Sequence, residues 1–148
     1  MNQGSNNPID VRRCAIYAWS ATLDTYQLKM QVASCRSFIT NSGWVVVEDA
    51  AVTDGGTKSH SASHRLGLKK LTAAAKEAPR PFDCIVIADL ARLGRNGKDM
   101  VATVQALASH GVSVYAVAER IDTAEPNSGI LLKLYSFMFG PPPSSRRK

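Results

Sequence analysis

The sequence predicts an α/β domain with a mostly parallel sheet of four or five strands, flanked by helices and followed by a short C-terminal helix. Two observations support this prediction. Short apolar runs rich in β-branched residues alternate with segments whose apolar residues recur at helical spacing. The runs are continuous rather than alternating, which is typical of strands buried on both faces of a parallel sheet. A chain of 148 residues suits one such domain with its own core.

Four apolar runs are predicted to be strands. They lie at residues 13–19, 44–48, 83–88 and 112–117. Because each is followed by a helical pattern, right-handed crossovers should place them in one sheet, with the first and third strands adjacent.

The helices are predicted at residues 26–41, 65–77, 100–109 and 128–139. The first has apolar residues at Leu28, Val32 and Cys35, the spacing of an amphipathic helix. The last meets a glycine and three prolines at 140–143, which should end it and leave part of its apolar face exposed.

The folded domain is expected to span residues 12–139. Residues 1–11 are polar and should form a disordered leader, and residues 140–148 should form a disordered basic tail. Between the second strand and second helix, residues 54–64 are polar and Ser-rich, which predicts a loop. His60 and His64 lie in that loop without a third ligand, so we interpret them as solvated side chains.

Composition restricts the class of partner. The net charge of +6 favours an anionic partner such as nucleic acid, although half of that charge lies in the last three residues. The three cysteines have no metal-ligand spacing, which predicts reduced thiols in the core of a cytoplasmic protein. No apolar run is long enough to span a membrane, and no metal or other cofactor is expected.

One stretch, residues 82–96, indicates where the chemistry lies. A buried strand ends at Asp89, and Arg92 and Arg95 follow it. Open α/β sheets bind ligands at the carboxyl ends of their strands, and a guanidinium grips a phosphate with two parallel hydrogen bonds. Gly94 stands between the arginines and allows a backbone angle that other residues resist, which predicts an unusual backbone conformation there. The alternative is a solvated pair of arginines that begins a surface helix.

The string Leu90-Ala91-Arg92-Leu93-Gly94-Arg95-Asn96 resembles the Asp-Arg-Leu-Gly-Arg-Asn signature of serine site-specific recombinases, the resolvase and invertase family. Further similar motifs follow one another in the family's order. They are Ala15-Ile16-Tyr17-Ala18, Gln31, Gly43-Trp44, Asp54-Gly55-Gly56, Arg65-Leu66-Gly67-Leu68, Gly111-Val112-Ser113-Val114, Glu119 to Thr123 and Ser128 to Leu132. The resemblance covers about residues 13–139, nearly the whole expected domain.

The resemblance implies DNA cleavage by a serine hydroxyl, with arginines that bind the scissile phosphate and without a metal or nucleotide. It assigns catalytic and DNA-binding roles to Arg65, Arg92 and Arg95. In ungapped register, however, Ala21 stands where the family has its nucleophilic serine. Ser20 is the candidate nucleophile only if the alignment has a one-residue deletion in this chain before it, relative to the family.

The same register shows two further departures. Trp19 replaces the arginine that the family has at the end of the first strand, and Ala91 replaces the family's aspartate before Arg92.

The sequence therefore predicts a domain for DNA binding and site-specific strand exchange that has lost activity. It also predicts that the chain forms a homo-oligomer or associates with intact recombinases. One alternative is a catalytically dead module that binds DNA or a recombinase. The other is an unrelated small α/β protein that binds phosphate.

Overall fold

A computed structural model describes residues 11–22, 24–56, 65–94 and 97–139, with side chains as far as Leu134. These residues form one five-stranded sheet, four α-helices and a 3-10 turn at Leu90–Arg92. The strands are β1 (Arg13–Ser20), β2 (Val45–Gly55), β3 (Cys84–Ile87), β4 (Ser113–Ala116) and β5 (Ile121–Asp122). The helices are α1 (Thr25–Asn41), α2 (Leu66–Ala74), α3 (Gly97–Ala108) and α4 (Ser128–Phe139).

The sheet has the strand order β2-β1-β3-β4-β5. The first four strands run parallel, and β5 pairs with β4 in the antiparallel direction. This confirms the predicted fold class and the adjacency of the first and third strands. The two-residue strand β5 has too short an apolar run to be located from the sequence alone.

The largest difference from the predicted elements is the length of β2. Asp54 and Gly55 were expected to open a polar loop, but they form the end of this strand and pair with Trp19 and Ser20. The register between β1 and β2 shifts near Cys14, so β2 carries extra residues there. Backbone pairing with β1 therefore outweighs the polar character of Asp54 and Gly55.

The sheet separates two apolar clusters. Residues from α2, α3 and α4 cover one face, which includes Tyr17, and α1 covers the opposite face, which includes Ile16. All three cysteines are buried free thiols, as the sequence predicted, and the structure places all three in the cluster on the α1 side. Burial raises the pKa of the Cys35 thiol to about 12, so it stays protonated at neutral pH.

The helix α4 is described as far as Phe139, the last residue before the glycine and the prolines that are predicted to end it. Its Leu132 is buried, whereas Ile130 and Leu134 are 62% and 55% exposed. Within the described ranges, no helix is long and apolar enough to cross a membrane. The predicted leader, apart from Val11, lies outside the described residues, as do the tail, His60 and His64.

Candidate phosphate-binding site

Four parallel strands end at the same edge of the sheet, and polar side chains follow each of them. Asp54 lies at the end of β2, Ser20 ends β1, Asp89 follows β3 and Glu119 follows β4. Parallel strands place their carboxyl ends together, so these residues form one polar edge. The 3-10 turn after β3 places Arg92 at this edge.

Arg92 is held at this edge by two contacts. Its Nε donates to Asp89 Oδ2 at 3.2 Å, and its Nη1 donates to the Trp19 carbonyl oxygen at 3.0 Å. The side chain is 26% exposed. A guanidinium has five N–H donors, so these contacts fix its plane while they use only two of them. Arg92 is therefore an oriented cation that solvent reaches.

Asp89 organises the turn that carries Arg92. Its Oδ1 accepts a hydrogen bond from the Ala91 amide at 3.1 Å, so one carboxylate both caps the turn and pairs with Arg92. The amide of Leu90 donates to Glu119 Oε1 at 3.1 Å. Burial raises the pKa of Glu119, and the nearby Asp89 acts in the same direction. The two carboxylates reduce the net positive charge around Arg92.

Arg65 also lies at this edge, but it is buried, with 1% of its surface exposed. Its guanidinium carbon lies 4.3 Å from the centre of the Trp19 ring, and its Nη1 donates to the Arg92 carbonyl oxygen. Burial lowers the pKa of Arg65, while the carboxylates of Asp54 and Asp99 oppose that shift. The structure thus brings Arg65 and Arg92 together, with only Arg92 facing solvent.

The carboxylate of Asp54 joins three elements, namely β1, β2 and the amino end of α2. It accepts from Tyr17 Oη at 2.8 Å, the Gly67 amide at 2.7 Å and the Leu68 amide at 3.0 Å. It therefore caps the amino end of α2 from the neighbouring strand. A Cβ at Gly67 would lie 2.9 Å from Asp54 Oδ1, so this approach requires glycine.

Gly94 is also required for space rather than for its backbone angle. A Cβ there would lie 2.8 Å from the Met100 amide nitrogen and 2.8 Å from Asp99 Cβ, in the first turn of α3. Its φ lies outside the left-handed region, so the expectation of an unusual angle was wrong. The segment from the 3-10 turn at Leu90–Arg92 to Gly94, called the arginine turn below, packs closely against α3, and this is the reason for glycine at this position.

The two positions that could correspond to the family's nucleophilic serine, Ser20 and Ala21, lie at the end of β1 and directly after it. Ser20 is 7% exposed, and its hydroxyl accepts a hydrogen bond from the Thr22 amide at 3.4 Å. Tyr17 and Trp19 contact the cluster on the α2 side of the sheet. Since successive side chains of a strand alternate between its faces, Ser20 points toward the α1 side, away from Arg65. Ala21 follows the strand in a bend and has no hydroxyl.

Gln31 fixes the backbone of this strand end. Its Oε1 accepts from the Trp19 amide at 3.0 Å, and its Nε2 donates to the Trp19 carbonyl oxygen at 2.8 Å. That carbonyl also accepts from Arg92. Trp19 is therefore the point at which β1, α1 and the arginine turn are joined.

The family model for the resolvase N-terminal domain matches residues 14–139.

The chain belongs to this family.

The match confirms the resemblance seen in the motifs, and it leaves no support for an unrelated phosphate-binding protein. Membership of the resolvase family links the chain to site-specific recombination, and it implies interaction with DNA and oligomerisation. No curated protein matches the chain.

Solved structures of an integrase and of two recombinases share the fold. The N-terminal catalytic domain of TP901-1 integrase has a TM-score of 0.71 at 22% identity, covering 85% of this chain and 92% of that one. A resolvase family site-specific recombinase from Streptococcus pneumoniae has a TM-score of 0.65 at 17% identity, covering 85% and 84%. The C-terminal catalytic domain of IS1535 TnpA, an IS607-like serine recombinase, has a TM-score of 0.53 at 19% identity, covering 70% of each chain.

Sequence reasoning located part of the site. Ser20, Arg65 and Arg92 all lie at the predicted edge, whereas Arg95 lies outside the described residues. It missed Asp89 as the partner of Arg92, although the spacing of three residues across a turn was a usable signal. It also missed the side-chain hydrogen bonds of Gln31 and Asp54, which join segments far apart in the chain. Among the described residues, no cluster suited to a metal ion is present.

Proposed function

We propose that this resolvase-family domain binds the DNA backbone at the carboxyl edge of its sheet, through Arg92 with Arg95, and that it does not cleave DNA at an appreciable rate. The observation that carries the proposal is the anchored, solvent-facing guanidinium of Arg92. A guanidinium whose plane is fixed loses little entropy when it binds a phosphate. Phosphate contacts position a protein on DNA but carry no base information, so the binding should be weak and nearly independent of sequence.

The lack of a nucleophile supports the second half of the proposal. Attack on phosphorus requires an oxygen within about 3–3.5 Å of it, in line with the leaving group. The aligned position is Ala21, which has no oxygen, and strand alternation directs Ser20 toward the other face. The strand-end cation of the family is replaced by Trp19, so stabilisation of the developing charge is also reduced.

DNA binding is tested by titrating the protein with a labelled duplex at several salt concentrations. Arg92→Ala should weaken binding to any sequence and reduce the slope of log affinity against log salt by about one unit. The matched control is Arg36→Ala, because Arg36 lies on α1 and pairs with Glu48. An Arg92 variant with unchanged affinity and slope would show that Arg92 is only a solvated cation.

Cleavage is tested by incubating the purified chain with supercoiled plasmid and looking for protein covalently attached to 5′ ends. We expect no attachment. Attachment that disappears in Ser20→Ala would show that Ser20 is the nucleophile and that the register with Ala21 at that position is incorrect.

A catalytically dead module that associates with intact recombinases is the second candidate function. The exposed apolar residues Ile130, Leu131 and Leu134 on α4 favour it, because they offer a surface for another protein. A cytoplasmic site of action stays a prediction.

A further inference from the structure

The burial of Arg65 has a cost that its local contacts must offset. A guanidinium withdrawn from water needs compensation for its charge and for its donors. Here the Trp19 ring covers one face of the group, the Arg92 carbonyl accepts from one edge, and the negative charges of Asp54 and Asp99 favour the cation. Arg65 is thus held in its buried position by groups of this chain.

We propose that Arg65 and Trp19 form a clamp that positions Arg92, and that Arg65 is a positioning residue rather than a ligand of phosphate. The inference rests on the proposed function, because it concerns how the phosphate-binding arginine is aimed. Both residues of the clamp contact Arg92. Arg65 donates to the Arg92 carbonyl oxygen, and the Trp19 carbonyl oxygen accepts from Arg92 Nη1. Backbone and side chain of Arg92 are therefore held by the same pair of residues.

The identity of residue 19 decides which role Arg65 has. The face of an indole ring carries partial negative charge and attracts a guanidinium, most strongly where water is excluded. An arginine at position 19 would instead repel Arg65 and favour its release toward solvent. To reach a phosphate in this chain, Arg65 would have to leave the ring and leave the Arg92 carbonyl without its donor.

The first test follows the side-chain Nε–H signals of Arg65 and Arg92 by NMR, in the free protein and with a DNA duplex. In the free protein, the Trp19 ring should shift the Arg65 signal upfield, and this shift should persist when DNA is added. Loss of the upfield shift on adding DNA would overturn the inference. An Arg92 signal that does not respond to DNA would instead contradict the proposed function, so the two failures are distinguishable.

The second test asks whether the clamp aims Arg92, and it needs no DNA. Trp19→Leu removes the aromatic face but keeps an apolar side chain, and it should shift the Arg92 Nε–H signal. The matched control is Trp44→Leu, because the Trp44 ring lies 4.5 Å from the Arg12 guanidinium near the opposite edge of the sheet. That variant should leave the Arg92 signal in place. An unchanged Arg92 signal in a folded Trp19→Leu protein would rule out the positioning role.

The third test is a double-mutant cycle on DNA affinity with Trp19→Leu and Arg92→Ala. If Trp19 acts through Arg92, Trp19→Leu should weaken binding in the wild-type background and have no further effect in the Arg92→Ala background. A released Arg65 that binds phosphate would give the opposite result, with Trp19→Leu maintaining or increasing the salt slope. That outcome would contradict the clamp.

Discussion

Trp19 and Ala21 lie two residues apart at the end of β1, and under the proposed function each lacks a different group that phosphoryl transfer requires. Ala21 supplies no nucleophile, and Trp19 supplies an aromatic face instead of a cation. A variant that regains the nucleophile without the cation, or the cation without the nucleophile, still lacks one of the two groups. Because effects of residues that act as a unit are strongly non-additive, single substitutions should recover little.

We therefore predict that Ala21→Ser alone gives little or no covalent attachment to DNA. The combination of Trp19→Arg with Ala21→Ser should give more, because it restores both the oxygen and a cation beside the scissile phosphate. Attachment to 5′ ends of plasmid DNA is measured for the single and double variants under the same conditions. Equal attachment in Ala21→Ser and in the double variant would show that the cation at position 19 is dispensable.

At the scale of elements, Gln31 connects α1 to the end of β1. Its amide pairs with both the N–H and the carbonyl of Trp19, and the side chain is buried. Removing one partner of buried hydrogen bonds leaves the other without compensation for its lost hydration. Gln31 is therefore expected to stabilise the strand end on which the site is built.

We predict that Gln31→Ala lowers the free energy of unfolding by about 1–3 kcal/mol. The control is Gln105→Ala, because Gln105 is exposed in the middle of α3 and the change in helix propensity is the same. Both variants are compared with wild type by urea denaturation. Equal stability of the two variants would show that the pairing with Trp19 contributes nothing net.

The pair Arg13–Asp83 joins the beginning of β1 to the segment before β3. Asp83 Oδ1 lies 2.9 Å from Arg13 Nη2, and its Oδ2 accepts from the Arg13 backbone amide at 2.9 Å. The hydrogen bond from the Arg13 side chain lowers the pKa of Asp83, against the opposing effect of burial. The ionised carboxylate therefore stabilises the folded state above its ordinary pKa of about 4.

Asp83→Asn should lower stability at pH 7, and its difference from wild type should shrink as the pH falls through the lowered pKa of Asp83. Urea denaturation between pH 7 and pH 3 measures this difference. Glu48→Gln is the control, because its pair with Arg36 is exposed and should contribute little. Denaturation curves of wild type and Asp83→Asn that differ equally at every pH would contradict the prediction.

At the scale of the whole molecule, α4 presents an apolar surface that the rest of the described domain does not cover. Ile130 and Leu134 lie one helical turn apart and are both more than half exposed. Burying such residues against a partner is favourable by about 25 cal/mol for each Å² of apolar surface. A self-associating chain is the expected consequence, in agreement with the oligomerisation that the family implies.

We predict that Ile130→Glu combined with Leu134→Glu reduces self-association without unfolding the domain. Sedimentation velocity over a range of protein concentrations measures the effect, and circular dichroism checks the fold. Met30→Glu on α1 is the control, because Met30 is a similarly exposed apolar residue at 52%. Self-association that survives in the double variant would place the contact elsewhere.

The sequence by itself determined the fold class, the family and the edge of the sheet that carries the arginines. These depend on local apolar periodicity and on short motifs, which are properties of neighbouring residues. The sequence also shows that, in ungapped register, Ala21 stands where the family has its nucleophilic serine, and an alanine side chain has no oxygen in any conformation.

Only the tertiary structure decided which arginine faces solvent. Arg65 and Arg92 are equivalent as residue types, but one is stacked on Trp19 and buried while the other is oriented by Asp89. The extension of β2 to Gly55 and the capping of α2 by Asp54 were likewise set by partners distant in the chain. Burial and hydrogen bonding depend on which groups meet in space, and that pairing is not encoded in the spacing of residues along the sequence.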